Sequence, residues 1–297
     1  MTRSSRFAGV VKGAVARRGA ALMGICNVTP DSFSDGGHFL DPKAACARVD
    51  ELIASGADII DIGGESTRPG SKPVPAREQL ERVLPAIRHA AARGACISID
   101  TTSAEVAAAC LDEGAHAVND VSLLRDEVIA KVVAGSGACL VLSHARAPQE
   151  AMSGYGGWPL GAYDDVVLDV AREWERAAAR ANELGVPRDA LVMDPGLGFS
   201  KASRHSFELL RRARELVAEI AKNGEVFVLY GASRKSFLTL VDPPSAPSAP
   251  AARDGASIAA ALHAVRAGVH ILRVHDVHAT RQAIDMEIVL GTPRRKI

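Results

Sequence analysis

Residues 95–119 read ACISIDTTSAEVAAACLDEGAHAVN, and this stretch holds one complete unit of the predicted fold. It begins with the apolar run Cys96–Ile99, which is typical of a short strand covered on both faces. The alanine-rich segment Ala104–Glu113 has helical spacing, and Gly114 follows it because glycine tolerates the left-handed conformation that ends a helix. The next apolar run, Ala115–Val118, predicts a second strand. The unit therefore predicts two strands joined by a helix.

The same alternation recurs along the whole chain of 297 residues. Eight short apolar runs predict strands: Ala21–Cys26, Asp58–Ile62, Cys96–Ile99, Ala115–Val118, Ala138–Leu142, Leu191–Met193, Val226–Tyr230 and Val269–Val274. Stretches with helical spacing lie between them: Pro42–Ser55, Arg77–Arg93, Ala104–Glu113, Asp164–Leu184, Phe207–Asn223 and Ser257–Ala267. Eight alternations favour an α/β fold, a single (β/α)8 TIM barrel with its active site at the C-terminal ends of the strands. A doubly wound sheet is the alternative, although no Gly-x-Gly-x-x-Gly follows the first strand.

The domain organisation follows from the same reading. Residues 21–297 are predicted to form the barrel domain, and residues 1–20 a basic segment that is either an edge of the barrel or flexible. The proline-rich stretch Asp242–Ala252 predicts a surface loop without helix or strand, not a linker to a second domain. The first 20 residues lack a clean apolar region before a cleavage site, which argues against a secretory signal. A solvated basic face is favoured over a transit peptide.

Composition excludes several classes of function. Hydrophobic residues make up 47% and charged residues 24%, which is ordinary for a globular protein. Basic and acidic residues both number 35, and a neutral chain argues against nucleic acid as a partner. No apolar run reaches the roughly 18 residues of a membrane span, so no membrane partner is expected. The five cysteines are scattered and odd in number, which predicts free thiols in a reducing compartment such as the cytoplasm.

Polar side chains follow every predicted strand, and in a barrel these strand ends share one rim. Taken singly, an aspartate there is more often a helix cap. Taken together, they fall into two sets. The donors Asn27, Thr67, Arg273 and His275 suit a phosphate or pyrophosphate. The set Asp100, Asn119, Asp194 and Lys235 suits a flat heterocycle with an amidine-like edge. Glycines near positions 36, 63 and 70 predict mobile loops.

Seven motifs carry a family resemblance over residues from about Leu22 to Leu290. They are GICNVTPDSFSDGG (24–37), GESTRPG (64–70), SIDT (98–101), NDVS (119–122), DPGLGF (194–199), SRKS (233–236) and RVHDV (273–277). In these residues the chain resembles the dihydropteroate synthases of the pterin-binding superfamily. The resemblance implies a transferase of folate biosynthesis. It implies condensation of 6-hydroxymethyl-7,8-dihydropterin pyrophosphate with 4-aminobenzoate to 7,8-dihydropteroate and pyrophosphate, assisted by Mg²⁺. It also implies a homodimer and competition by sulfonamides.

The resemblance also implies roles for single residues. The pterin would be held by Asp100, Asn119, Asp194, Lys235 and Arg273, and the pyrophosphate by Asn27, Thr67, Arg273 and His275. The 4-aminobenzoate pocket would use Phe33, Thr67, Arg68, Pro69, Phe199, Lys235 and Ser236. Asn27 would bind the metal, with Asp35 near it. The catalytic residues would be Asp35, Asp100, Lys235 and Arg273, in a dissociative substitution that needs no protein nucleophile.

Three departures from the family pattern bear on the affinity for 4-aminobenzoate. Ser143 stands where the family commonly has Met, Leu123-Leu124 where small residues are common, and Ser200-Lys201-Ala202 with His205-Ser206 replace Gly-Lys-Thr and His-Asn. Two other functions stay open. A paralogue could bind pterin without condensing it, although Asp35 and Arg68 would then have no purpose. A methyltetrahydrofolate:corrinoid methyltransferase has no pyrophosphate to bind, and RVH and SRK argue against it.

Overall fold

A closed barrel of eight parallel strands forms the centre of the molecule. The computed structural model describes residues 2–29, 42–66, 71–148, 151, 158–243 and 245–291. Each strand pairs with the next in the chain, and the last closes on the first. The strands are β1 (Ala21–Asn27), β2 (Ile59–Gly63), β3 (Ile97–Asp100), β4 (Ala117–Asp120), β5 (Cys139–Ser143), β6 (Leu191–Asp194), β7 (Phe227–Tyr230) and β8 (Ile271–Val274). The predicted (β/α)8 TIM barrel is confirmed.

Helices cover the outside of the barrel, so the strands are buried on both faces and their sequences are mostly apolar. The helices are α1 (Arg3–Arg18), α2 (Pro42–Ala54), α3 (Ala76–Ala92), α4 (Ala104–Asp112), α5 (Val128–Ser136), α6 (Val166–Glu183), α7 (Ser203–Arg211), α8 (Ala213–Ala221), α9 (Asp254–Arg266) and α10 (Val277–Gly291). Helices α1, α5 and α10 lie outside the predicted helical stretches. No described helix has the length and apolar character needed to cross a membrane.

Two predictions about the second half of the chain are wrong in detail. The stretch 207–223 is not one helix, because the backbone of Arg212 leaves the helical region and separates α7 from α8. The proline-rich loop is not free of helix, because Pro250–Arg253 forms a short 3-10 helix. Proline fits the first turn of a helix, where its missing N–H would have no partner.

Helix α1 packs across the end of the barrel where the strands begin. Its residues Phe7, Val11 and Ala14 are completely buried. Arg3 donates hydrogen bonds to the carbonyl oxygens of Ser136 and Leu111, at the C-terminal ends of α5 and α4. Cations are favourable there because of the helix dipole. Part of the basic N-terminal segment is thus a built element of the barrel floor.

A second group of arginines fixes the end of α1. Arg17 and Arg18 both pair with Asp58, at 2.9 and 3.1 Å, and Asp58 also accepts the backbone N–H of Leu22 at the start of β1. Arg18 is largely covered and Arg17 is exposed, so only part of this face is solvated as predicted. The five cysteines are all unpaired.

Candidate active site

The strand ends bring the predicted side chains to one level of the barrel mouth. Along the sheet, Asn27 pairs with Gly63, Gly63 with Asp100, and Asp100 with Asn119. A Cβ atom on Gly63 would lie 3.3 Å from Cβ of Asp100, so glycine leaves room for that carboxylate. The parallel register therefore places the side chains of Asn27, Asp100 and Asn119 at the same level of the barrel mouth.

Arg273 reaches from β8 to the opposite carboxylates. Its Nε donates to Oδ2 of Asp61 at 2.6 Å, and one terminal nitrogen donates to Oδ2 of Asp100 at 2.7 Å. The Asn119 amide also donates to Oδ2 of Asp61, at 3.2 Å. Asp61 is completely buried inside β2, and the motif analysis assigned it no role. An aspartate in the middle of a buried strand was the signal for it, since a buried carboxylate needs partners.

Three oxygen atoms in this cluster have no hydrogen-bond partner within the described residues. They are Oδ1 of Asp61, Oδ1 of Asp100 and Oδ1 of Asn119. All three residues are buried, and a buried polar atom without a partner is costly and rare. Three acceptors that face no donor fit a ligand that brings several N–H groups.

The surroundings of the cluster bring the pKa of one carboxyl group, that of Asp100, to about 7. Burial raises the pKa of Asp100 above its ordinary value, Arg273 opposes that rise, and the nearby Asp61 carboxylate adds to it. A positive charge beside Asp100 would therefore favour its ionised form at neutral pH.

Asp194 and Lys235 close the other side of the mouth. Oδ1 of Asp194 accepts the backbone N–H of Gly196 at 2.8 Å. Gly196 has φ +63°, and a Cβ there would lie 2.0 Å from the carbonyl oxygen of His144, so only glycine fits. The Lys235 ammonium donates to the carbonyl oxygen of Leu197. Burial lowers the pKa of Lys235 to about 8, with Asp194 opposing.

Phe199 and Ser236 lie on the same side as Lys235. The Lys235 ammonium is 4.5 Å from the ring centre of Phe199, within range of a cation–π contact. Ser236 is half-buried and opens the 3-10 helix Ser236–Val241 directly after Lys235. These three predicted pocket residues are brought together.

His275 stands one residue beyond β8 and is half-buried. Its Nδ1 is 3.0 Å from Oγ of Ser233, and Arg48 donates to its carbonyl oxygen at 2.7 Å. Burial, together with the charge of Arg273, lowers the pKa of His275 to about 3. The imidazole is therefore neutral at physiological pH.

A buried network that the motif analysis missed supports the loops after β5 and β6. The Lys201 ammonium is 2.9 Å from Nδ1 of His144 and donates to the carbonyl oxygens of His144 and Phe199, at 3.2 and 3.0 Å. Nε2 of His144 is 2.9 Å from a Glu173 oxygen, and Glu173 also binds Arg146. Burial lowers the pKa of Lys201 well below its ordinary value. A lysine in a loop carries no sequence signal for such burial, because lysine is usually exposed.

The departures from the family pattern have visible structural effects. Ser143 is completely buried at the end of β5, and its Oγ has no partner within the described residues. Leu123 and Leu124 have φ near +60°, held by Asp120, which accepts the Leu124 N–H. Ser200 has φ +47°, and its Oγ accepts the N–H groups of Arg146 and Ala147.

Five predicted site residues lie outside the described residues: Phe33, Asp35, Thr67, Arg68 and Pro69. Asn27 ends β1 and is half-buried. Within the part of the chain that the structure describes, no group of three or more His, Cys, Asp or Glu could hold a metal ion.

Comparison with known protein families gives one consistent answer. Residues 23–275 match the model of the family described as pterin binding enzyme. A dihydropteroate synthase of Mycobacterium leprae is 41% identical over 266 residues, covering 89% of this chain and 90% of that protein. A probable bifunctional folylpolyglutamate synthase/dihydropteroate synthase of Haloferax volcanii is 39% identical over 93% of this chain. The match spans only 31% of that longer protein.

Solved structures agree with the sequence relatives. A Xanthomonas albilineans dihydropteroate synthase with 4-aminobenzoic acid superposes with a TM-score of 0.81 at 38% identity, covering 92% of this chain and 94% of that one. The same organism's enzyme in complex with 7,8-dihydropteroate gives 0.77 at 36% identity, covering 92% and 95%. A Yersinia pestis dihydropteroate synthase with a sulfonamide drug complex gives 0.81 at 34% identity, covering 92% and 95%.

Proposed function

We propose a course of reaction for this chain, which belongs to the pterin binding enzymes and, within them, to the dihydropteroate synthases. Its substrates are 6-hydroxymethyl-7,8-dihydropterin pyrophosphate and 4-aminobenzoate, and its products are 7,8-dihydropteroate and pyrophosphate. The single observation that carries the proposal is the set of unpartnered acceptor oxygens on Asp61, Asp100 and Asn119 beside the Arg273 guanidinium.

The pterin ring occupies the mouth between these oxygens and Asp194. The Asp194 carboxylate accepts two parallel N–H bonds from the aminopyrimidine edge, while Lys235 donates to the ring carbonyl. Asp100 and Asn119 satisfy the remaining ring N–H groups. The Arg273 guanidinium, already fixed by Asp61 and Asp100, stacks on the ring.

The pyrophosphate lies on the β1 and β8 side, where Asn27, Arg273 and His275 supply donors, with Thr67 as a further donor. The Asn27 amide oxygen is of the ligand type that Mg²⁺ prefers, and Mg²⁺ commonly binds one or two protein oxygens together with substrate phosphates. Asn27 would hold the ion, with Asp35 near it. When bound, it would neutralise charge on the leaving group.

The substitution is dissociative. The bond between the methylene carbon and the pyrophosphate oxygen breaks first, and its electron pair leaves with pyrophosphate. Arg273 and His275 stabilise that developing negative charge. The carboxylate of Asp100, with Asp35, stabilises the cation left on the pterin. The amine of 4-aminobenzoate then forms the C–N bond and loses its proton to pyrophosphate or solvent.

The second substrate lies between Phe199, Lys235 and Ser236, with Phe33, Thr67, Arg68 and Pro69 completing its pocket. The Ser236 hydroxyl and backbone N–H bind the carboxylate. The contact between Lys235 and the Phe199 ring supports this site, because it puts a cation and an apolar wall next to the pterin site. A sulfonamide competes for the same place.

The assembly and the compartment are also proposals. Exposed apolar side chains on α10, Met286, Val289 and Leu290, support a homodimer formed through the C-terminal half. The five free cysteines support a reducing compartment such as the cytoplasm.

One assay separates the enzyme from a pterin-binding paralogue. Purified protein is mixed with Mg²⁺, the pterin pyrophosphate and 4-aminobenzoate, and pyrophosphate release is followed. Release that requires 4-aminobenzoate and yields dihydropteroate supports the synthase. Tight pterin binding without release would contradict it. Methyl transfer from methyltetrahydrofolate to a corrinoid would instead identify the methyltransferase.

A further inference from the structure

Ser233 forms two contacts with His275 that the proposed reaction leaves unused. The two residues follow neighbouring strands, since β7 pairs with β8 through Tyr230 and Leu272. Oγ of Ser233 lies 3.0 Å from Nδ1 of His275 and accepts the backbone N–H of His275 at 3.2 Å. A single hydroxyl therefore touches both the ring and the backbone of the same histidine.

Counting protons decides which ring nitrogen carries the hydrogen. A serine hydroxyl has one proton and two lone pairs. The backbone N–H of His275 can only donate, so it uses a lone pair of Oγ. No other hydrogen bond of the Ser233 hydroxyl is found among the described residues. If Nδ1 also donated, the hydroxyl proton would have no acceptor among the described residues. The favourable arrangement has Oγ donating to Nδ1, which leaves the ring proton on Nε2.

The surroundings hold Ser233 in place. The next residue, Arg234, has φ +60°, and its backbone N–H donates to Oγ of Ser257 at 2.9 Å. The Arg234 side chain pairs with Asp254 at 2.8 Å, and its carbonyl oxygen accepts a bond from Arg253. A non-glycine residue keeps such a conformation only when its neighbours enforce it. These contacts hold the backbone of the loop after β7 in place, so its conformation does not depend on the Ser233 hydroxyl.

We propose that Ser233 is a positioning residue that fixes His275 in the Nε2–H tautomer, so that the neutral ring donates from Nε2 to the pyrophosphate group. This inference rests on the proposed function, because that function makes His275 a pyrophosphate ligand. Burial keeps the ring uncharged, and an uncharged imidazole has one donor, so the choice of tautomer decides whether it faces the leaving group as a donor or an acceptor.

The test compares Ser233→Ala with Ser233→Thr, which restores the hydroxyl. For Ser233→Ala we expect KM for the pterin pyrophosphate to rise and kcat to fall, together lowering kcat/KM about tenfold, as for one lost hydrogen bond. KM for 4-aminobenzoate and the affinity for 6-hydroxymethylpterin, which lacks pyrophosphate, should not change. Ser233→Thr should recover most of kcat/KM. Equal loss for the ligand without pyrophosphate would overturn the inference.

A spectroscopic measurement keeps the inference separate from the proposed function. The ¹⁵N spectrum of labelled protein, with His275 assigned from a His275→Gln sample, reports the tautomer without any substrate. We expect Nε2–H in the wild type, a mixture in Ser233→Ala, and Nε2–H in the matched control Ser248→Ala, which removes a hydroxyl that bonds Asp242 farther along the loop between β7 and α9. Nδ1–H in the wild type, or no change in Ser233→Ala, would contradict the role of Ser233. Wild-type protein that releases no pyrophosphate would contradict the proposed function alone.

Discussion

Raising the pH should weaken pterin binding through Lys235 far earlier than an ordinary lysine would allow. Lys235 is half-buried, its ammonium donates to the Leu197 carbonyl oxygen, and it makes no ion pair within 4.0 Å among the described residues. Burial lowers its pKa from the ordinary 10.5 to about 8. The charged form, which donates to the ring carbonyl, is therefore complete below about pH 7 and is lost as the pH rises through 8.

The size of the effect follows from that pKa. Between pH 7 and pH 9.5 the dissociation constant for a 7,8-dihydropterin ligand should rise about 30-fold, whereas a lysine of pKa 10.5 would change it by only about 10%. Isothermal titration calorimetry in buffers of equal ionic strength measures the constants. Lys235→Arg is the matched control, because its guanidinium stays charged throughout this range.

The control also removes the ligand's own titration, which is common to both proteins. The ratio of wild-type to Lys235→Arg dissociation constants should therefore rise about 30-fold over the interval. A ratio that stays constant to pH 9.5 would refute the reasoning, because Lys235 would then be either fully hydrated or not in contact with the pterin.

Three further changes test the site and the frame around it. Asp194→Asn keeps the fold but replaces one acceptor oxygen by a donor, so pterin affinity measured by calorimetry should fall at least about 100-fold; a loss below tenfold would contradict the pterin site. Burial lowers the pKa of His116 in the folded chain from 6.5 to about 4. As the pH falls from 7 to 5, His116 therefore gains a proton in the unfolded chain before it does so in the folded chain, and the free energy of unfolding decreases. The variant His116→Asn keeps an acceptor for the Ile97 N–H. In urea titrations its free energy of unfolding should decrease between pH 7 and pH 5 by about 1–2 kcal/mol less than that of the wild type. The same pH dependence in both proteins would contradict this role of His116. In α1, Phe7→Ala should lower the free energy of unfolding by about 3–5 kcal/mol, because Phe7 is completely buried. The control Gly9→Ala should raise it by up to about 1 kcal/mol, because Gly9 is exposed and has room for a Cβ. An unchanged free energy of unfolding in Phe7→Ala would mean that α1 is not part of the folded domain.

The barrel was predictable because its information is local. Each strand is a short and mostly apolar run, and the observed bounds differ from the predicted ones by at most two residues at either end. Strand ends in a parallel barrel all face one rim, so Asp100, Asn119, Lys235 and Arg273 could be assigned to one site before any contact was known. Their order along the chain was enough.

The hydrogen-bond partners of these residues were harder to predict from the sequence, because they lie on segments that are far apart along the chain. Asp61 and Arg273 are 212 positions apart, and Lys201 and His144 are 57 apart. Nothing in the sequence near Lys201 separates a buried lysine from an exposed one. The arginines of α1 were read as a solvated face for the same reason, since the carbonyl oxygens that Arg3 binds belong to α4 and α5.

Oxygen atoms of Asp61, Asp100 and Asn119 have no hydrogen-bond partner among the described residues, which lowers the stability of the protein. The same atoms are needed for its activity, so stability and activity place opposite demands on these three side chains. Directed evolution that selects only for heat resistance or for cellular abundance should replace these side chains with apolar ones and lose the activity. Selection for growth without added folate should retain them. The two screens, run on one library, would therefore disagree most sharply at the barrel mouth, and the map of their disagreement would outline the binding site without a bound ligand.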